Sequence, residues 1–331
     1  MGLSQRRRFL IAASTAVVAA PFGLRAQPPR VARIGVLCTL PPSNPIGAPA
    51  WKAFYAELKA RGWEQGRNLV VEGRYIEGHT EKYPIFAGEL VSAGVEVIIT
   101  DQSQGVDALR KATRTIPIVM TGLVDPVKAG YVASLAHPGG NITGVSNQTG
   151  DLTDKLLELR LSIKPDLKKL GVLWSPNNAG SALGFEASQV VAHAHGIEQI
   201  SLPVDAPADL GPALAKAQRE GVEWLTVHPT AAIHPGFPQI LAWATEHRVM
   251  TDSITASFTR RGLLMSYGAD YRDLGRISAT FVDRILRGAK PADLPVEQPT
   301  KFELIINLKA AKAIGVTIPE SMLARADEVV Q

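Results

Sequence analysis

The sequence predicts an α/β protein of two lobes, each with a parallel sheet, joined by a multi-strand hinge. Three observations predict it. Short, continuously apolar β-rich runs alternate with amphipathic helical stretches, the pattern of a parallel sheet covered on both faces. One series of five βα units ends in the polar stretch 146–151, and a second series begins directly after it. The chain then continues well past the second series, long enough to recross between two lobes.

The first strand is expected at 31–37. A helix follows in which Trp51, Phe54, Tyr55 and Leu58 fall at i, i+3, i+4 and i+7 on one apolar face, with Gly62 as its terminator. Next come a strand at 69–71 with Tyr75, a helix around 86–91, a strand at 95–100 and a helix through 106–113. A strand at 116–120, a helix opening at Asp125-Pro126 and a strand at 142–145 complete the first series. The second series runs through a helix at 152–163, a strand at 170–174, a helix at 185–194 and a strand at 197–202. A helix at 210–219, a strand at 222–227, a helix at 240–246 and a short strand at 249–251 finish it. The tail offers a strand at 263–267, a helix at 274–286 and a strand at 302–306. Hinges are expected near 146–150 and 252–259. Lobe 1 is then 27–146 plus about 260–292, and lobe 2 is 147–259 plus about 293–331.

The composition, 46% hydrophobic and 20% charged over 331 residues, excludes a disordered chain and an integral membrane protein. The net charge of +4 sits in one place. Arg6, Arg7, Arg8 and Arg25 lie in the first 26 residues with no acidic partner, and the rest balances 31 basic against 31 acidic side chains. No basic stripe remains to release counterions from phosphates, so nucleic acid is not an expected partner.

Behind the arginines runs a fourteen-residue apolar stretch, 9–22, well short of the roughly 20 residues a membrane-spanning helix needs. It reads as a cleavable signal peptide ending near Ala26. The twin arginine before Phe9-Leu10 resembles a Tat signal, and a Sec route stays open. The only cysteine, Cys38, lies too far on for lipid attachment at the cleavage point and has no intramolecular disulfide partner. The mature chain is expected in the periplasm, as a monomer.

Ligands in open α/β sheets bind beyond the carboxyl ends of the strands. That rule nominates Thr39, Gln102, Ser103, Thr121, Gly122, Asp125 and Asn147 from lobe 1. From lobe 2 it nominates Trp174, Ser175, Asn178, His228, Thr230 and Asp252. Loop hydroxyls and free N–H groups at helix starts hold an anionic group without any arginine. Each of these residues alone serves equally well as a helix cap or turn former. Their recurrence after strand after strand favours a site.

Enzyme signatures are missing. Gly35 stands alone in the first strand, with no dinucleotide-binding glycine pattern around it, and there is neither a Walker loop nor a nucleophile elbow. His193 and His195 lie about 200° apart around a helix, so they do not chelate one metal. No catalytic residue, metal or cofactor is expected.

Several long stretches carry a resemblance. Pro117-Ile118-Val119, Asp125-Pro126-Val127 and His137-Pro138-Gly139-Gly140-Asn141-Ile142-Thr143-Gly144-Val145 resemble the ABC-type tryptophan/tyrosine-like substrate-binding protein family. So do Gly262-Leu263-Leu264-Met265-Ser266-Tyr267-Gly268, the stretch 286–296, the block 298–309 and the closing Leu323-Ala324-Arg325-Ala326-Asp327-Glu328-Val329. The resemblance implies a periplasmic binding protein of type I, two Rossmann-like lobes joined by three crossovers. It implies capture of a small molecule, an amino acid that is aromatic or not, or a related carboxylate, and delivery to an ABC permease in the inner membrane. The family's polar loop falls on Gln102 and Ser103, its Asn-Pro-Asn-Asn on Ser175-Pro176-Asn177-Asn178, and an acidic residue near the second crossover on Asp252. In this reading Thr39, Gln102, Ser103 and Thr121 hold an anionic group, and Asp252 accepts an amine. The alternative is a periplasmic sensory module that presents the same clamp to a receptor kinase. An exported oxidoreductase comes last, because every cofactor motif is missing.

Overall fold

In lobe 1 the strands β1 (Ala32–Cys38), β2 (Leu69–Tyr75), β3 (Val97–Thr100), β4 (Ile118–Val124) and β5 (Ile142–Asn147) form one sheet. They are all parallel, in the order β2-β1-β3-β4-β5. The helices α1 (Ala48–Ala60), α2 (Tyr83–Ser92) and α3 (Ser103–Ala112) connect them. Strand β1, which lies between β2 and β3, is apolar because both faces are covered: Ile34, Val36 and Leu37 have no exposed surface. Each such side chain contributes about 1.5–3 kcal/mol relative to exposure. The protein is described here from a computed structural model over residues 30–147 and 150–331, so the export segment expected at 1–26 and part of the first hinge lie outside the described residues.

Lobe 2 repeats the plan. After α4 (Gly150–Ile163) come β6 (Lys169–Trp174), α5 (Ala179–Ala194), β7 (Glu198–Pro203), α6 (Leu210–Glu220) and β8 (Trp224–Val227). They are followed by α7 (Phe237–Glu246), β9 (Met250–Ser253), α8 (Ala256–Arg260) and β10 (Met265–Ala269). The order β7-β6-β8-β9-β10 matches that of lobe 1 strand for strand. The chain then enters α9 (Tyr271–Leu286), which packs along α1 in lobe 1. It returns for β11 (Phe302–Asn307), α10 (Leu308–Ile314), α11 (Glu320–Leu323) and β12 (Glu328–Val330), which widen the second sheet to seven strands.

The two-lobe α/β architecture follows the expectation, and four details differ. The stretch after β4 is a set of turns rather than a helix. Asp125 takes φ 37°, and Pro126, Gly130 and Pro138 interrupt any helical run. The chain does not cross between lobes at 252–259, because β10 pairs parallel to β9 (Met265 with Asp252) and stays in lobe 2. The crossing falls at 269–271 instead, so residues 260–269 belong to lobe 2 and α9 to lobe 1. Segment 294–297 then lies along β5, where Glu297 bridges Val145 and the Thr143 hydroxyl donates to the Leu294 carbonyl at 2.7 Å. From there the chain crosses into β11, which runs antiparallel to β10, a reversal that the apolar pattern does not encode.

Helix α9 holds its place through a close approach. A side chain at Gly275 would put its Cβ 2.4 Å from the carbonyl oxygen of Ala50, so α1 and α9 meet backbone to backbone there. Asp270 caps α9 by accepting from the N–H of Arg272.

Candidate functional site

Both sheets point the carboxyl ends of their strands at one cavity of about 240 Å³. Thr39 follows β1, Asp101 to Ser103 follow β3, and Thr121, Gly122 and Asn147 come from β4 and β5. From lobe 2, Asn178 opens α5 and His228 and Thr230 follow β8. The apolar wall combines Leu40, Trp51 and Phe54 of lobe 1 with Leu152, Leu156 and Ile254 of lobe 2, and with Tyr271 and Leu274 of α9.

The lobes are closed over this space. Gln102 donates from Nε2 to the Pro229 carbonyl at 3.1 Å. Asn178 donates from Nδ2 to Gln102 Oε1 at 2.6 Å and to Gln104 Oε1 at 3.0 Å. Leu40 and Ile46 leave lobe 1 to pack into a core with Leu173, Leu202 and Ile233 of lobe 2. Ala231 reciprocates among Leu37, Ile76 and Ile98.

Of the thirteen residues nominated from the sequence, the cavity brings nine together: Thr39, Gln102, Ser103, Thr121, Gly122, Asn147, Asn178, His228 and Thr230. Four lie elsewhere. Asp252 is wholly buried and is not among the residues that line the cavity; its carboxylate accepts from Arg160 Nε at 2.6 Å and Nη2 at 3.3 Å. Trp174 stacks on Phe185 with centroids 4.2 Å apart and donates to Ser201 Oγ, which makes it part of the lobe 2 core. Ser175 donates to Asp205 Oδ1 at 2.6 Å. Asp125 accepts from the Lys128 N–H within the turn after β4.

Sequence reasoning missed Asp101, Arg160, Ser181 and the aromatic wall of Trp51, Phe54 and Tyr271. A signal for Arg160 existed: it stands four residues after Leu156, on the buried face of α4, where a charge needs a partner.

The ionisable groups are tuned by burial. Asp101 accepts from the Thr39 N–H at 3.0 Å and the Thr39 hydroxyl at 3.2 Å, yet desolvation lifts its pKa to about 6. The pKa of His228 falls to about 4, chiefly through desolvation. Its Nδ1 lies 3.0 Å from Ser181 Oγ, which also accepts from the Ser175 N–H. Burial keeps His228 neutral at pH 7. Ser103 Oγ, Thr230 Oγ1 and Asn147 Oδ1 are buried along the cavity wall with no hydrogen-bond partner. Such groups cost about 1–3 kcal/mol each until a partner arrives. Among the described residues no group of His, Cys, Asp or Glu is placed to hold a metal ion.

The comparisons with known proteins agree with this geometry. Residues 45–330 match the family model described as ABC transporter substrate binding protein. The chain is 27% identical over 265 residues to a tyrosine-binding protein of Clostridioides difficile (strain R20291), covering 80% of this chain and 76% of that one. A conserved domain protein from Vibrio cholerae superposes with TM-score 0.84 at 29% identity, over 91% of this chain and all of that one. An ABC domain from Streptococcus pneumoniae, solved in complex with L-Trp, gives TM-score 0.83 at 27% identity over the same shares.

Proposed function

Since the chain belongs to the family of ABC transporter substrate-binding proteins, we propose that it captures an amino acid, aromatic in the first instance, and delivers it to an ABC importer from the periplasm. The observation that carries the reading is the closed cavity. It lies between two sheets that share one five-strand order, the lobes around it are bridged by Gln102 and Asn178, and its wall pairs aromatic surface with unpartnered hydroxyls. Trp51, Phe54 and Tyr271 suit an aromatic or large aliphatic side chain. Ser103 and Thr230 suit a carboxylate. A cavity of about 240 Å³ is below the common range for drug-sized ligands and suits a single amino acid. The tyrosine-binding relative and the L-Trp complex support the same class of solute.

Closure around the solute creates the surface that a permease reads, which is how a two-lobe clamp converts binding into delivery. The arginine-led N-terminal segment supports export, with the mature chain starting at Gln27. Thermal-shift and calorimetric titration of the purified protein with the twenty amino acids tests the binding step. At a ligand concentration of about 100 Kd the native state gains about 2.7 kcal/mol, a shift of several degrees in Tm. No shift with any amino acid overturns the reading. N-terminal sequencing of the exported protein checks the cleavage point. Stimulation of a reconstituted permease and ATPase by the loaded protein checks delivery.

A further inference from the structure

The following inference rests on the binding function proposed above and names what the cavity demands of its solute. Six ionisable groups line the wall: Cys38, Asp101, Arg160, His228, His234 and Tyr271. Five of them leave the cavity uncharged. Arg160 is 2% exposed and commits Nε and Nη2 to Asp252 and Thr226, forming a pair with no net charge. Burial holds His228 and His234 in the neutral form at pH 7, and it keeps the Cys38 thiol and the Tyr271 phenol protonated. The thiol is further occupied against the Ile99 carbonyl.

Asp101 is different. The residue is half-buried on the cavity wall with its carboxylate desolvated, and the hydrogen bonds that carboxylate accepts come from the backbone and hydroxyl of Thr39. Among the described residues no Lys or Arg lies against it. A desolvated carboxylate without a counter-charge is costly, and the cost is relieved when a cation enters beside it. Two residues on, Ser103 opens the ten-residue helix α3, with its Oγ buried and unpartnered. Gln102 between them makes no cap bond, because its side chain reaches across to Pro229 and Asn178. The free N–H groups at the start of α3 therefore stand beside an acceptor for a cation.

We propose that Asp101 receives the protonated amine of the solute while Ser103 and the start of α3 receive its carboxylate, so that the cavity selects α-amino acids over acids or amines alone. The ammonium and carboxylate of an α-amino acid sit on one carbon, so their partners must be neighbours. Asp101 and Ser103 are neighbours on either side of a residue turned away from both. Asp252, the acceptor expected from the sequence, is replaced in this role.

The test titrates purified wild-type protein with L-Trp and L-Tyr, with their des-amino analogues indole-3-propionate and 3-(4-hydroxyphenyl)propionate, and with tryptamine and tyramine. Each des-amino acid and each amine is expected to bind at least about 100-fold more weakly than its parent, a loss of about 2.7 kcal/mol. Asp101→Asn is expected to weaken the parent amino acid at least about 30-fold while the unliganded variant melts at or above wild type, because an uncompensated carboxylate is gone. A des-amino analogue within tenfold of its parent, or an Asp101→Asn affinity within threefold of wild type, overturns the assignment and leaves the solute-binding function standing. Absence of binding by wild type to every compound overturns both. The analogue series uses wild-type protein alone, so it decides the matter even where the variant folds poorly.

Discussion

Asn178 and Gln102 join the two lobes: Asn178 Nδ2 donates to Gln102 Oε1 at 2.6 Å, while Asn178 Oδ1 accepts from the Ser181 N–H and caps α5. One side chain thus serves the fold and the closed state through different atoms, and the two roles separate by substitution. Asn178→Asp keeps an equally good cap but exchanges the donor for a carboxylate facing two glutamines. Its unliganded stability is expected to stay within about 1 kcal/mol of wild type, with amino-acid affinity about tenfold lower, one to two net hydrogen bonds' worth. Small-angle scattering of the loaded variant would read a more open average. Unchanged affinity would remove these bonds from the closing mechanism.

Arg160 and Asp252 predict the opposite signature. The pair is buried to 3% and 0% of side-chain surface, so truncating one partner strands a charge. Asp252→Ala is expected to cost about 3–5 kcal/mol in urea unfolding. A stable Asp252→Ala protein that has lost only ligand affinity would return Asp252 to the binding site.

The strand and helix pattern was legible because burial on both faces leaves an apolar mark on each strand, and nearly every strand expected from that mark is present. The loops beyond the strand ends were legible by topology, which explains why Thr39, Ser103, Asn178 and Thr230 meet at one cavity. What a loop residue does there was not legible. Asp101 follows β3 and Asp252 lies near the end of β9, and only the position of Arg160, 92 residues from Asp252 along the chain, decides which carboxylate is already paired. Trp174 reads as a cavity wall until Phe185 is found stacked on it. The crossing at 269–271 was misplaced for a similar reason. Whether a strand stays in its sheet depends on its pairing, and the apolar run of β10 fits either lobe.

Gly275 offers a test of how α9 supports the site. Alanine in place of glycine inside a helix gains about 1 kcal/mol of propensity. Against that gain, the added Cβ meets the Ala50 carbonyl at 2.4 Å, a backbone atom that yields only if α1 and α9 part. Overpacking of this kind costs about 1–3 kcal/mol, so Gly275→Ala is expected to lower Tm by a few degrees. Affinity should fall with it, because Tyr271, Leu274 and Ser278 on the same helix line the cavity. A Tm at or above wild type would show that the two helices separate without cost.

Acid should release the solute through Asp101. Its neighbours are Cys38 of β1, Thr39 just after it, Tyr83 of α2 and Tyr271 of α9, and none of these titrates between pH 5 and 8, since burial raises the thiol and both phenols. His228 and His234, with pKa values lowered to about 4, stay neutral over the same range. The Asp101 carboxyl, raised to about 6 against an ordinary value near 3.9, is the group left to change. A proton on it competes with the ligand ammonium. Affinity is therefore expected to be flat above about pH 7 and to fall toward tenfold per unit below about 6, and Asp101→Asn abolishes that slope. The sign for the unliganded protein is the reverse. Because the folded state holds this proton more tightly than the unfolded chain, the associated stability is complete below about pH 4 and lost as pH rises through about 6. Unliganded Asp101→Asn should therefore melt above wild type at pH 8, and the gap should close toward pH 4. A wild-type affinity that stays constant from pH 8 to pH 5 would mean that Asp101 meets no cation in the bound state.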